Sequence, residues 1–381
     1  MDFAERFHLT NRDRAFEIAP WYPEDAGIYF GNRELNSELE GRIQAGYALG
    51  KPPKIYLSGR WGAGKTHHLY HLKHVLETTA WPGGRTFIAP YFQIECDDAT
   101  TFSYLHKKMM NALGVDLVKQ AVSDFLMGFG AATARSEAQA RMFGSANLVV
   151  ATQVLSIGDA QLAWKWLSGE RLSGGELRSL NVTTNLEDTS ELVDVLVRIG
   201  RLLNSQNCDL IFFVDELEGL RNVTKPNASS SWHDGMRNLA DNMNNSVGYV
   251  FGIFVDTNNP FPGFIIEDDI VRRMGQRNSI ELPTYSDATD IDPFLRDLVG
   301  ARIRLDDLGS LPPEVTRDSY PFTMDARDLF INELVAGAVS ATPSKIIEGL
   351  SECAWAAHIA EESFISVETV QEVMPRVTAV P

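Results

Sequence analysis

Gly59-Arg60-Trp61-Gly62-Ala63-Gly64-Lys65-Thr66 fits G-x-x-x-x-G-K-[ST] at every defined position. These residue types suit one task. Glycines let successive backbone N–H groups turn inward as a nest around a β-phosphate, and the N-terminus of a following helix adds a partial positive charge. Lys65 would reach the β and γ oxygens, and Thr66 would ligate Mg²⁺. A short apolar strand, Ile55-Tyr56-Leu57, leads into the loop, and a helix is expected from about Lys65, which is the context such a loop requires. The chemistry fits ATP (or ADP) with Mg²⁺, with Arg60, Trp61, Ala63 and His67 completing the lining.

A second group of chemical residues closes the apolar run Leu210-Ile211-Phe212-Phe213-Val214, which reads as a strand of a parallel sheet covered on both faces. The run ends in Asp215-Glu216. An acid at the carboxyl end of a buried strand can meet a phosphate-bound Mg²⁺, and a neighbouring glutamate can orient and deprotonate a water. Asp215 is therefore assigned to the metal and Glu216 to the water, with Glu218 next in line.

Two other patterns have plainer explanations. Leu172-Ser173-Gly174-Gly175-Glu176 is similar to the signature of ABC-transporter ATPases, but that signature lies much nearer its strand acid than Ser173 lies to Asp215. Ser173 and Glu176 instead form S-x-x-E, a capping box that starts a helix. His67, His71 and His74 share one face of the helix after the loop and have spacing that zinc could use. Such a helix packs against its neighbours, so hydrogen-bonded or solvent-facing imidazoles are expected.

The elements that must position these groups follow from periodicity. Leu35, Leu39 and Ile43 have helical spacing, and Lys51-Pro52-Pro53 ends that helix. A strand pattern from Phe87 to Cys96 carries Pro90 near its start, which points to an edge or a bulge. Residues 120–190 read as Ala- and Gly-rich helical material, an insertion and not a separate domain. After Asp215 we expect a polar loop over Asn222–Ser231, a helix over His233–Met243, a strand over Gly248–Val255 and a last strand, Ser279–Leu282, closed by Pro283. From Ser286 onward the pattern is helical. The expected fold is an α/β P-loop NTPase, a mostly parallel sheet flanked by helices, with a C-terminal all-α subdomain. Its boundaries are an entry segment over 1–50, a core over 51–285 with the helical insertion at about 115–190, and the helical part over 286–381.

Composition bounds what such a fold can touch. The 381 residues are 44% hydrophobic and 22% charged, as for a globular chain, and no apolar run approaches a membrane span. The N-terminus, with acidic residues early and no apolar stretch, is unlike a signal peptide, and three widely spaced cysteines suit a reducing cytoplasm. A formal charge of −17 argues against a general nucleic-acid binder. Residues 51–110 nevertheless hold eight Lys/Arg against four acids, a local excess that a triphosphate site explains.

The arrangement resembles the AAA+ ATPases, in particular the branch of origin-recognition and initiator proteins, over about residues 25–375. Tyr29-Phe30-Gly31-Asn32-Arg33-Glu34 is similar to that branch's entry box beside the adenine, with Asn32 where the pattern often has Arg. Ile280-Glu281-Leu282-Pro283-Thr284-Tyr285-Ser286 is similar to the segment joining core to lid, and Pro321-Phe322-Thr323 and Ile365-Ser366-Val367-Glu368 to the starts of lid helices. The resemblance implies a polar sensor at the tip of the strand after the acid strand, Asn258 first and then Asp256 or Thr257. It implies an arginine finger acting on a neighbouring subunit, drawn from Arg272, Arg273 and Arg277. The lid turn reads Ala341-Thr342-Pro343-Ser344-Lys345, so the family's second-sensor arginine is absent and Lys345 stands one place late. A narrower resemblance, on Trp164-Lys165-Trp166-Leu167-Ser168-Gly169-Glu170 and Leu177-Arg178-Ser179-Leu180, is to ATP-binding proteins of BREX-type phage-defence operons. The plain alternative is a tryptophan-anchored packing helix.

These features imply an ATP hydrolase, slow or dependent on assembly, that forms homo-oligomers. Its nucleotide state would act on a protein partner, in phage defence, a mobile element or another DNA transaction. A signalling-type nucleotide switch and a DNA-loading or translocating motor are the two alternatives.

Overall fold

The structure, a computed structural model, describes residues 2–31, 33–243, 246–255, 278–337 and 341–379. The chain divides into two compact units, one of residues 1–39, 59–71 and 281–381, the other of residues 40–58 and 72–280.

The second unit contains the sheet. Its strands are β1 (Lys54–Gly59), β2 (Thr86–Ile88), β3 (Tyr91–Gln93), β4 (Cys208–Asp215), β5 (Val247–Phe254) and β6 (Ser279–Glu281). The order is β2-β4-β5-β1-β6, with β3 also paired to β4. β2, β3 and β5 all run parallel to β4. The expected strand around Pro90 is thus two short strands on the same edge of β4, because proline has no N–H to give the ladder. From Leu210 to Val214 every side chain is fully buried, so both faces of β4 are covered, as its unbroken apolar run requires.

Helices supply that cover. Thr189–Asn204 begins with a capping box of Asp188 and Glu191 and packs its apolar face on β4. Between β3 and β4 lie the helices Phe102–Leu113, Val115–Met127, Ala132–Phe143, Ala146–Ile157, Ala160–Leu167 and Gly174–Leu180. Their buried side chains join the same hydrophobic core as the sheet. Ser173 and Glu176 form the reciprocal cap at the start of Gly174–Leu180. Trp166 is buried, and its indole N–H donates to the Thr184 carbonyl at 2.8 Å, which anchors its helix. The loop expected over Asn222–Ser231 is shorter than its polar sequence implies. A 3₁₀ turn occupies Leu217–Asn222 and a helix runs over Pro226–Asn242, because Pro226 at its first turn presets the helical φ and lacks an N–H that would be orphaned there.

His106 in this unit sets a pH limit on stability. It is fully buried, Nε2 donates to the Leu167 carbonyl at 2.8 Å, and Nδ1 has no partner. Burial pushes its pKa down to about 4. The unfolded chain therefore takes up this proton first, near 6.5, so the contribution is complete above that value and is lost as pH falls from about 6.5 to 4. Urea unfolding should show about 2 kcal/mol less stability at about pH 5 than at about pH 7 from this group alone. His106→Gln keeps a donor for the Leu167 carbonyl and should flatten that slope by close to one proton. An unchanged slope would contradict the buried neutral ring.

The first unit has its own core. Phe7, Phe16 and Phe30 of the entry segment pack with side chains of Ala288–Arg302, Met324–Ala336, Pro343–Ile359 and Val367–Val377. Asp25 is fully buried here and takes Arg302 at 2.8 Å and Arg14 at 3.0 Å, so its charge is paired. The C-terminal region is helical, as its pattern implies. No helix among the described residues is long and apolar enough to cross a membrane.

Candidate functional site

The phosphate-type loop belongs to the first unit. β1 ends at Gly59 and the helix Lys65–Thr78 begins six residues later. Gly62 and Gly64 have φ of +73° and +86°, left-handed values that alternate with ordinary residues and turn amides inward as a nest does. Gly62 is closed to any other residue on two counts, since a Cβ there would also lie 2.8 Å from Thr342 Oγ1 and from Ser344 Cβ. The Lys65 ammonium donates to the carbonyls of Gly59 and Arg60, both at 3.0 Å, and so lies across the mouth of its own loop. Thr66 is half-buried in the first helical turn, and Trp61 stands 77% exposed. The donors present suit a polyphosphate: a ring of amides, a helix N-terminus and one ammonium group.

The helix Pro343–Ile359 meets this loop. The Ser344 N–H donates to the Gly62 carbonyl at 3.2 Å, and Thr342 caps the helix by accepting the Lys345 N–H. The Lys345 ammonium itself donates to the Val377 carbonyl at 3.1 Å and pairs with Glu348 at 3.0 Å. Ser344, through its backbone N–H, is therefore the residue of this turn that bonds the loop, and the space beside Gly62 is bounded by Thr342 Oγ1 and Ser344 Cβ.

The entry segment lies against the helix that follows the loop. His67 Nε2 bonds the Ile28 carbonyl at 2.9 Å, His71 Nδ1 the Ala26 carbonyl at 2.8 Å, and His68 Nε2 the Tyr29 hydroxyl at 2.5 Å. Burial pushes His67 to about 3 and His68 to about 4, so both rings are neutral at ordinary pH. The imidazoles thus serve backbone carbonyls. Among the described residues no group of three His, Cys, Asp or Glu is placed to hold a metal ion. Gly31 must be glycine: its φ is +90° and a Cβ would fall 2.4 Å from the Tyr285 hydroxyl oxygen. Its N–H and the Arg33 guanidinium both reach Asp297, at 3.4 and 2.7 Å, which ties the box to the helix Ala288–Arg302.

The acidic group belongs to the second unit. Asp215, 2% exposed, is the last residue of β4; it accepts the Tyr91 hydroxyl at 3.1 Å on Oδ2 and the Glu216 N–H at 3.0 Å on Oδ1. Gln93 is its partner in the ladder. Glu216 has φ +60°, a left-handed conformation uncommon for a residue with a Cβ, and the residue is exposed. Its pKa is raised by desolvation first, then by the negative charges of Asp215, Glu218 and Glu95. A raised carboxylate beside a buried one is the pattern of an acid–base group. Glu218 is engaged otherwise: it accepts the Phe254 N–H at 2.9 Å, while Arg221 donates to the Phe254 carbonyl at 2.6 Å. These two residues hold the end of β5. Asp256, Thr257 and Asn258, and also Arg272, Arg273 and Arg277, lie outside the described residues.

Tyr91 carries no local signal of its contact with Asp215, because only the β3–β4 register brings the two together. No family model and no curated protein matches the chain. Among solved structures it is similar to the Aeropyrum pernix ORC2 protein in ADPNP–ADP complexes, at 13% identity and a TM-score of 0.47, over 97% of this chain and 72% of that one. It is also similar to Cdc6p from Pyrobaculum aerophilum, at 15% identity and a TM-score of 0.47, over 97% and 72%. A third similar structure is the Thermotoga maritima RuvB Holliday junction branch migration motor, at 10% identity and a TM-score of 0.40, over 91% and 70%.

Proposed function

We propose that this chain is an AAA+ ATPase of the initiator-like branch that binds and hydrolyses ATP and uses nucleotide state to control its own assembly and a protein partner. The observation that carries the reading is the loop itself, with left-handed Gly62 and Gly64 leading into Lys65–Thr78 and the Lys65 ammonium lying over the loop carbonyls. In this reading the loop amides and Lys65 grip the β and γ phosphates, and Glu216 orients and deprotonates the attacking water. Thr66 and Asp215 would hold Mg²⁺, which supplies charge neutralisation on the phosphoryl oxygens. Asn258 would sense the γ-phosphate, and one of Arg272, Arg273 and Arg277 would complete a neighbouring copy's site. The narrower resemblance would set the partner in phage defence. The acidic charge gives no support to direct DNA binding.

An arginine finger is worth roughly 10³–10⁵ in rate in NTPases that use one. ATPase activity per chain should therefore rise steeply with protein concentration, and a non-hydrolysable ATP analogue should raise the mass seen in light scattering. Constant activity per chain over a hundredfold concentration range would exclude a trans-acting arginine. One observation favours the nucleotide-switch alternative: the Lys345 ammonium is held by Glu348 and Val377, away from the role of a second sensor. Multiple turnover in the assembled state would remove that alternative.

A further inference from the structure

The Gly64 carbonyl accepts twice from one residue: the His68 backbone N–H donates to it at 2.9 Å, and His68 Nδ1 lies 2.9 Å from the same oxygen. A carbonyl only accepts, so Nδ1 carries the ring proton. In the neutral ring Nε2 is then the acceptor, and the Tyr29 hydroxyl, 2.5 Å away, is its donor. The Tyr29 ring sits between His68 and His71, with centroids 5.0 and 5.1 Å away. The residues flanking it are held as well, through His67 on Ile28 and Phe30.

The peptide joining Gly64 to Lys65 is planar and trans. Fixing its oxygen therefore fixes the Lys65 N–H, which points the opposite way and is one of the donors that a helix N-terminus presents to its surroundings. Gly64, at φ +86°, has no Cβ to resist rotation of that peptide. We infer that His68, held in one tautomer by Tyr29, is a positioning residue that locks the Gly64–Lys65 peptide in its phosphate-facing orientation and couples the entry segment to the loop. The inference rests on the reading of Gly59–Thr66 as a nucleotide site. His68 touches no phosphate in this account; it acts through the peptide it holds.

The test is ATP and ADP affinity, with KM and kcat, for four variants beside the native chain. His68→Phe keeps the ring and loses both bonds, and should weaken both nucleotides about tenfold, the scale of one or two hydrogen bonds, with kcat at saturation kept within about twofold. Tyr29→Phe should cost about threefold. His68→Asn restores a donor near the Nδ1 position and should recover most of the loss. Native affinity in His68→Phe, alongside lost binding in Lys65→Ala, would overturn this inference and leave the nucleotide reading standing. Absence of nucleotide binding by the native chain would sink both. If His68→Phe fails to fold, ¹⁵N shifts of the histidine rings in the native protein decide. A neutral Nδ1–H ring at His68 is expected, and an Nε2–H ring would rule out the bond to Gly64.

Discussion

Lys65→Ala should bind ATP at least about a hundredfold more weakly than the native chain in titration calorimetry. The ammonium is the one full positive charge that the loop motif commits to the phosphates, and each charge-assisted hydrogen bond it makes is worth about 1.5–3 kcal/mol. Two such bonds to the β and γ oxygens give a loss of roughly two to four powers of ten. Stability should change little, because Lys65 is partly exposed and its bonds to the Gly59 and Arg60 carbonyls are ordinary ones of 3.0 Å. A thermal midpoint close to native together with lost affinity separates a binding defect from an unfolding one. Affinity within twofold of native would remove the loop from the site and with it the proposed function.

The residues legible from sequence are those whose signal is local. The phosphate loop needs only a tight turn between a strand and a helix, so eight consecutive residues declare it. The β4 run declares itself because a strand covered on both faces has no polar position until it ends, which is where Asp215 stands. The Ser173–Glu176 cap is equally local, and its geometry explains the serine. Pro226 was a local signal too, and a helix start there outranks the polarity of the residues after it.

What sequence does not show is pairing across distance. Tyr91 reaches Asp215 through strand register, 124 residues apart. Glu218 looks like a second base beside Glu216 until β5 is seen to use its carboxylate for the Phe254 N–H. The turn before Pro343–Ile359 illustrates the same limit. The missing arginine directs attention to Lys345 as the nearest cation, yet a helix N-terminus presents its backbone, and the Ser344 N–H is the group that meets Gly62. The histidines after the loop are the converse case. Their spacing allows metal binding, but two of the three, His67 and His71, bond carbonyls of the entry segment, which a neutral imidazole satisfies.

Glu216→Gln should leave ATP binding intact and reduce kcat by about 10²–10⁴, the range a positioned base contributes. Glutamine keeps the length, the polarity and the left-handed backbone of the native residue, and removes only its capacity to take a proton. Desolvation and the charges of Asp215, Glu218 and Glu95 raise the Glu216 pKa, so protonation silences the base at a higher pH than an ordinary glutamate would allow. The native rate should accordingly fall on acidification with an inflection higher than that of an ordinary glutamate, and the residual rate of the variant should lack that limb. Because hydrolysis would end the ATP-bound state, the variant should also hold nucleotide-dependent assemblies that the native chain disperses. Glu218→Gln is the internal contrast. Its carboxylate secures the end of β5, so the change should lower stability more than it lowers turnover. Turnover within about threefold of native in Glu216→Gln, with a large loss in Glu218→Gln, would move the base to Glu218 and require the β5 contact to open during the reaction.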